Sequence, residues 1–103
     1  MTTTRTVLLK RDSHLKIRYP VPRDGLIEYT VEADGAPVDT YVLDEKGLKE
    51  FNRGDDITSY YGGFTRRYSH HQEIRLPFRG WWYLLIVNPS RTEPVAVHYD
   101  VSG

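Results

Sequence analysis

Apolar and polar positions alternate with period two through most of the chain. Between His14 and Val21 the apolar groups fall on Leu15, Ile17, Tyr19 and Val21, with His14, Lys16, Arg18 and Pro20 between them, the pattern of a strand with one buried face. Pro22-Arg23-Asp24-Gly25 supplies turn chemistry, since proline presets φ and glycine accepts a positive one. Alternation then resumes at Ile27, Tyr29, Val31 and Ala33, so the two segments are predicted to form a hairpin. Asp34-Gly35 marks a second turn, and Pro37 to Leu43 reads as a strand rich in Val, Thr and Tyr.

At Asp44 the period changes. Leu48 and Phe51 are three apart, Asp44 is placed to cap orphan amides and Gly54 to end the segment, which predicts one short helix near residues 45 to 52. Gly47 limits it to two or three turns; Glu45, Lys46, Lys49 and Glu50 are expected to form its solvated face. Ile57 to Phe64 reads as a strand bulged at Gly62-Gly63, and His71 to Phe78 alternates through Gln72, Ile74, Leu76 and Phe78. Trp81 to Asn88 is apolar at consecutive positions, so both of its faces should be covered. Val95, Val97, Tyr99 and Val101 close the series. With Thr6 to Lys10, about eight short strands and one short helix point to an all-β, two-sheet antiparallel β-sandwich, jelly-roll-like, in a single domain over residues 1 to 103. Residues 1 to 5 are expected to fray.

Composition narrows the function classes. At 103 residues a domain buries roughly 65% of its unfolded surface, so one modest core must supply most of the stability. Formal net charge is zero, which argues against a dedicated nucleic-acid binder while leaving room for local patches. There is no cysteine, hence no disulfide framework and no thiolate metal site. The longest apolar run, Trp81 to Val87, is of strand length, far short of the ~20 residues of a membrane span. No secretion signal is visible between Met1 and Lys10, and a cytoplasmic location is expected.

Candidate chemistry concentrates in Tyr60 to His71, Tyr-Tyr-Gly-Gly-Phe-Thr-Arg-Arg-Tyr-Ser-His-His. His70 and His71 invite a metal-dependent enzyme with Asp55 or Asp56, but adjacent strand residues point to opposite faces. Gly62-Gly63 is not followed by the lysine of a phosphate loop. Ser13, Ser59 and Ser69 lack a nucleophile setting. Tyr60, Tyr61, Phe64 and Tyr68 beside Arg66 and Arg67 are more informative, because tyrosines give rigid stacking area and arginines give planar, bidentate contacts. In Trp81-Trp82-Tyr83, Trp82 is expected in the core with Leu84 and Ile86, leaving Trp81 and Tyr83 partly exposed near the Arg66 to Tyr68 turn.

Val42-Leu43-Asp44 through Leu48, Phe51 and Gly54, then Tyr61-Gly62-Gly63, Ile74-Arg75-Leu76-Pro77 and Gly80-Trp81-Trp82-Tyr83-Leu84-Leu85-Ile86, resemble a group of uncharacterised bacterial β-sandwich domains. In that group a strand ending in Leu-Asp leads to a short helix, a Tyr-Gly-Gly turn, a leucine-proline strand end and a glycine-tryptophan strand. The resemblance covers roughly residues 38 to 88. It implies a compact sandwich and, because some members are attached to TIR-type signalling domains, a sensing or scaffolding role; it brings no catalytic residues. This chain differs in its doubled tryptophan.

The sequence reading is therefore a non-catalytic module needing no cofactor or metal. Its expected partner is a protein or a small polar ligand rather than nucleic acid or membrane, bound through Tyr60, Tyr61, Arg66, Arg67, Tyr68 and Trp81. A carbohydrate-binding aromatic platform is the alternative. Unpaired sheet edges on a neutral chain make a homodimer plausible.

Overall fold

In a computed structural model describing residues 2 to 102, eight strands and one helix follow one another as β1 (Thr2–Leu9), β2 (His14–Pro20), β3 (Leu26–Asp34), β4 (Val38–Leu43), α1 (Glu45–Asn52), β5 (Tyr60–Arg67), β6 (Ser69–Arg75), β7 (Trp81–Val87) and β8 (Val95–Ser102). They form two antiparallel four-stranded sheets, sheet A in the order β1-β8-β3-β6 and sheet B in the order β2-β7-β4-β5. Every connection crosses between the sheets except the one through α1, which joins neighbours β4 and β5. The result is the two-sheet, jelly-roll-like sandwich that the strand count predicts.

Crossing connections correct the expected hairpin of β2 and β3. β2 pairs with β7, whereas β3 pairs with β6 and β8. The Pro22–Gly25 turn reverses the chain but passes it to the other sheet. Residues 2 to 5, expected to fray, are placed in β1, which keeps an unbroken register with β8 from Thr2↔Ser102 to Leu9↔Val95. Met1 lies outside the described residues.

Period-two alternation builds the main core. Ile27, Tyr29 and Val31 of β3 and Val95, Val97, Tyr99 and Val101 of β8 meet Val38 and Val42 of β4 and Trp82, Leu84 and Ile86 of β7. Burying each such side chain contributes about 1.5–3 kcal/mol. The outer faces differ. That of sheet A carries Glu28, Thr30, Glu32, His71, Glu73, His98 and Asp100, at the positions between the buried ones. That of sheet B is covered in part by α1, where Leu43, Leu48, Tyr83 and Leu85 form a second cluster with Tyr41, Phe51, Ile57 and Val87 packed on it. This is why β7 is apolar at consecutive positions, and why Tyr83, expected to be partly exposed, is buried.

The helix is fixed at both ends of the loop that follows it. The Asp44 carboxylate accepts from the Gly47 amide at 2.8 Å as an N-cap. Gly47, a poor helix former, is required by proximity: a Cβ there would lie 2.1 Å from the Ser59 carbonyl oxygen. Glu50 is not on a solvated face as expected but buried. Its carboxylate accepts from the Thr58 amide at 2.9 Å, the Thr58 hydroxyl at 2.6 Å and the Ser59 amide at 3.0 Å, and these bonds, the Thr58 hydroxyl first, hold it below the ordinary carboxylate range. Gly62 and Gly63 pair in register with Val42 and Tyr41, and the shifts of β5 against β4 fall to either side, at Tyr61 and between Phe64 and Arg67; what the glycines meet is close backbone approach, since Gly63 has φ +128° and a Cβ on it would meet the Thr40 carbonyl at 2.0 Å.

Candidate functional site

Strand β5 separates the predicted site residues. Tyr60 and Tyr61 open it, whereas Arg66 and Arg67 end it and Tyr68 follows, so the two groups lie about 20 Å apart at ~3.3 Å per residue. Trp81 was expected beside the Arg66 to Tyr68 turn. It lies at the other end, because β7 begins there: Tyr83 pairs with Leu43, which pairs with Tyr60, and Trp81 pairs with Pro20. The six residues thus form two groups, Tyr60, Tyr61 and Trp81 at one end of the sandwich and Arg66, Arg67 and Tyr68 at the other.

At the turn end the side chains project from the fold. Arg66 adopts φ +57°, a strained position for a non-glycine residue; its amide donates to Asp39 Oδ1 at 2.8 Å and its guanidinium lies 3.7 Å from the same carboxylate. Arg67 rests over the Phe64 ring at 5.1 Å. Tyr68 is exposed. His70 and His71 point apart: His71 sits on the outer face with Thr30 and Glu28, while His70 is buried between the Tyr29 and Phe64 rings, so the pair cannot chelate one ion. Burial first, then the charges of Arg67 and His71, push the His70 imidazole down to about 4.

The other end has walls. Two connections, Val21–Gly25 and Leu76–Gly80, are laced together: the Leu76 amide donates to the Gly25 carbonyl, the Val21 amide to the Gly80 carbonyl, both at 2.8 Å, and Arg75 Nη1 to the Asp24 carbonyl. Gly25 holds φ +75°, and a Cβ there would lie 2.7 Å from the Leu76 carbonyl. Phe78 packs partly on the core and meets Tyr61 at 5.0 Å between ring centroids. Tyr61 donates to Asp44 Oδ2 at 3.1 Å, and Ser59 donates to both oxygens of the same carboxylate. Burial alone would raise the Asp44 carboxyl, but the Gly47, Ser59 and Tyr61 bonds outweigh it and hold it low. Tyr83 donates to Glu45 Oε2 at 2.9 Å.

Between these walls lies an open cleft of about 440 Å³ lined by Asp44, Glu45, Lys46, Phe78, Arg79, Gly80 and Trp81. A second, of about 370 Å³, is bounded by Arg23, Arg75, Leu76, Pro77 and the shared Phe78 and Arg79. Trp81 is 44% exposed, and the Arg18 guanidinium carbon sits 4.1 Å from its ring centroid, a cation-π contact that covers one side of the indole and leaves the rest presented. Sequence reasoning missed Phe78 and Arg79. The signal was there, since Pro77 cannot donate to a strand ladder and the Pro-Phe-Arg-Gly run places a ring and a cation in a loop. Arg18 had no such signal, because only strand register puts it over Trp81.

No protein-family model and no curated protein sequence matches the chain. Solved structures with the same fold do. The Yersinia pseudotuberculosis-derived mitogen superposes with a TM-score of 0.67 at 15% identity, covering 99% of this chain and 85% of the mitogen. Aeromonas hydrophila PliG, a periplasmic inhibitor of g-type lysozyme, gives 0.63 at 15% identity, covering 98% and 84%. At that identity the likeness establishes the fold. It also overturns the expected cytoplasmic location: a periplasmic protein has this architecture, and lack of cysteine is no mark of the cytoplasm, since an oxidising compartment permits disulfides without requiring them.

Proposed function

We propose that the protein is a non-catalytic module, exported rather than cytoplasmic, that binds a protein partner at the cleft end of the sandwich. The observation that carries this reading is the presented Trp81 indole, backed by Arg18 and set in a cleft whose walls are already fixed by Asp44, Glu45 and the laced loops. Tryptophan and arginine in a preorganised setting are the residue types that dominate protein-binding hot spots. The fold supports the same reading, since PliG, which shares it, is an inhibitor of another protein. The sugar platform is less favoured: recognition of hydroxyls needs convergent polar groups, and the cleft carboxylates of Asp44 and Glu45 already accept internal hydrogen bonds.

The immobilised protein is expected to retain a protein from a cell-envelope extract. Re-measured with that purified protein, affinity should fall ~30-fold in Trp81→Ala, the cost of losing a hot-spot side chain of about 2 kcal/mol. A retained protein held equally well by Trp81→Ala would move the site elsewhere, and retention of none would overturn the reading.

A further inference from the structure

The chain is neutral as a whole, but its charges are unevenly spread. Among the described residues the ion pairs are Arg53 with Asp55, Arg66 with Asp39, His71 with Glu28 and His98 with Asp100. None involves Arg18, Arg23, Arg75, Arg79 or Lys46, the cations that stand around the two adjoining clefts. Of the carboxylates that neutralise the chain, Glu28, Glu32, Glu73 and Asp100 lie elsewhere, on the outer face of sheet A. Three carboxylates do reach the clefts and keep their charge while accepting internal hydrogen bonds, Asp24 from the Leu26 amide, Asp44 from Gly47, Ser59 and Tyr61, and Glu45 from Tyr83, so the five cations outnumber them and leave this end with a net positive charge.

Resting on the binding-module reading of this same end, we infer that the joined clefts take an extended acidic segment of a protein, with an apolar side chain on the floor and flanking carboxylates on the arginines. Pro22, Leu76, Pro77 and Phe78 supply an apolar floor, which suits an aliphatic or aromatic side chain. Guanidinium groups present paired donors in a plane that matches a carboxylate bidentately. Arg79 lines both clefts and so reaches a carboxylate in either; Arg23 and Arg75 serve one cleft, Lys46 the other. Sheet A's acidic outer face would repel such a segment, which restricts it to this end.

The test is fluorescence anisotropy of a labelled acidic decapeptide, one leucine and one phenylalanine among aspartates and glutamates. The controls are its lysine counterpart, a sulfated oligosaccharide and a single-stranded oligonucleotide of similar charge. The acidic peptide is expected to bind in preference to all three, to weaken several-fold as salt rises from about 50 to about 300 mM, and to weaken ~10-fold or more in Arg79→Gln and further in Arg23→Gln/Arg79→Gln. Both variants change exposed side chains, and matching thermal melts confirm their folding. Equal binding of the lysine peptide, preference for the sulfated sugar or the oligonucleotide, or affinity unchanged in the double variant overturns the acidic-segment assignment. If an extract protein is still captured through Trp81 while the acidic peptide does not bind, this inference fails and the binding module stands; if neither binds, both fail.

Discussion

The two ends of the sandwich marked by β5 each place aromatic rings beside arginines, and they differ in what surrounds those groups. At the turn end Arg66, Arg67 and Tyr68 stand out from the fold, with Arg66 tied to Asp39 and Arg67 laid on Phe64. At the cleft end Tyr61 and Trp81 are each held from two sides, Tyr61 by Phe78 and Asp44, Trp81 by its strand and Arg18. Exposed aromatic and basic groups alone do not make a site. What separates the ends is preorganisation: ordering a free tyrosine or arginine on binding costs about 0.5–1.5 kcal/mol each, and at the cleft end the fold has already met that cost.

Breaking the turn end from beneath gives the largest effect. His70, at the start of β6, has both ring nitrogens buried without hydrogen-bond partners, and its imidazole is pushed down from 6.5 to about 4. The neutral ring is therefore favoured by folding, and as pH falls the unfolded chain takes up the proton first. This contribution is fully present above the unfolded value near 6.5, drains between about 6.5 and about 4, and then levels off. It amounts to about 3 kcal/mol over that window. Asp44 and Glu50, both held low, act in the same direction only below the ordinary carboxylate values, so they do not explain losses above that range. Urea unfolding across the window should show the loss in the native protein and a much smaller one in His70→Leu, which keeps similar bulk without a titrating group. Equal pH dependence in both proteins would rule His70 out as its source.

At the cleft end Asp44→Ala is expected to cost about 2 kcal/mol, at the upper end of helix-cap losses, because the carboxylate also receives Ser59 and Tyr61. Its sharper consequence is local. Tyr61 should become mobile and the aromatic protons of Phe78 should lose the ring-current shift of their neighbour, while the resonances of Tyr68 at the far end stay put. Chemical shifts that move equally at both ends would mean that the ends are not independently organised.

Much of the fold was legible in the chain, and the site only in part, for definable reasons. Alternation at Leu15 to Val21 or Val95 to Val101 reports which side of a strand is buried, and the Leu48 to Phe51 spacing with the Asp44 cap reports a helix; both are local properties. Pro22 to Gly25 says that the chain reverses, not which sheet it enters, so the hairpin expectation failed. Glu50 looked solvated because its partners, Thr58 and Ser59, sit in a loop whose path is tertiary. Trp81 was rightly expected to be partly exposed, since it and Trp82 must face apart. Its neighbours could not be read, because strand order decides them: β7 lies between β2 and β4, which brings Arg18 and the start of α1 to the indole and leaves Arg66 at the far end.

The smallest effect on stability decides most about the comparison. Arg66→Gln/Arg67→Gln removes an exposed ion pair with Asp39 and a cation-π contact with Phe64, each worth at most about 1 kcal/mol at an exposed position. The Asp39 bond to the Arg66 backbone survives, because the amide rather than the side chain donates it. Glutamine keeps most of the aliphatic stem, so the melting temperature should shift by only a few degrees. If the walled end is the working one, the double variant should hold the partner retained by the native protein with affinity within about twofold, since a change ~20 Å away with no shared contacts adds independently. A loss of tenfold or more by calorimetric titration, with the fold intact, would instead make the projecting arginines the binding surface and the cleft a by-product of how the loops cross.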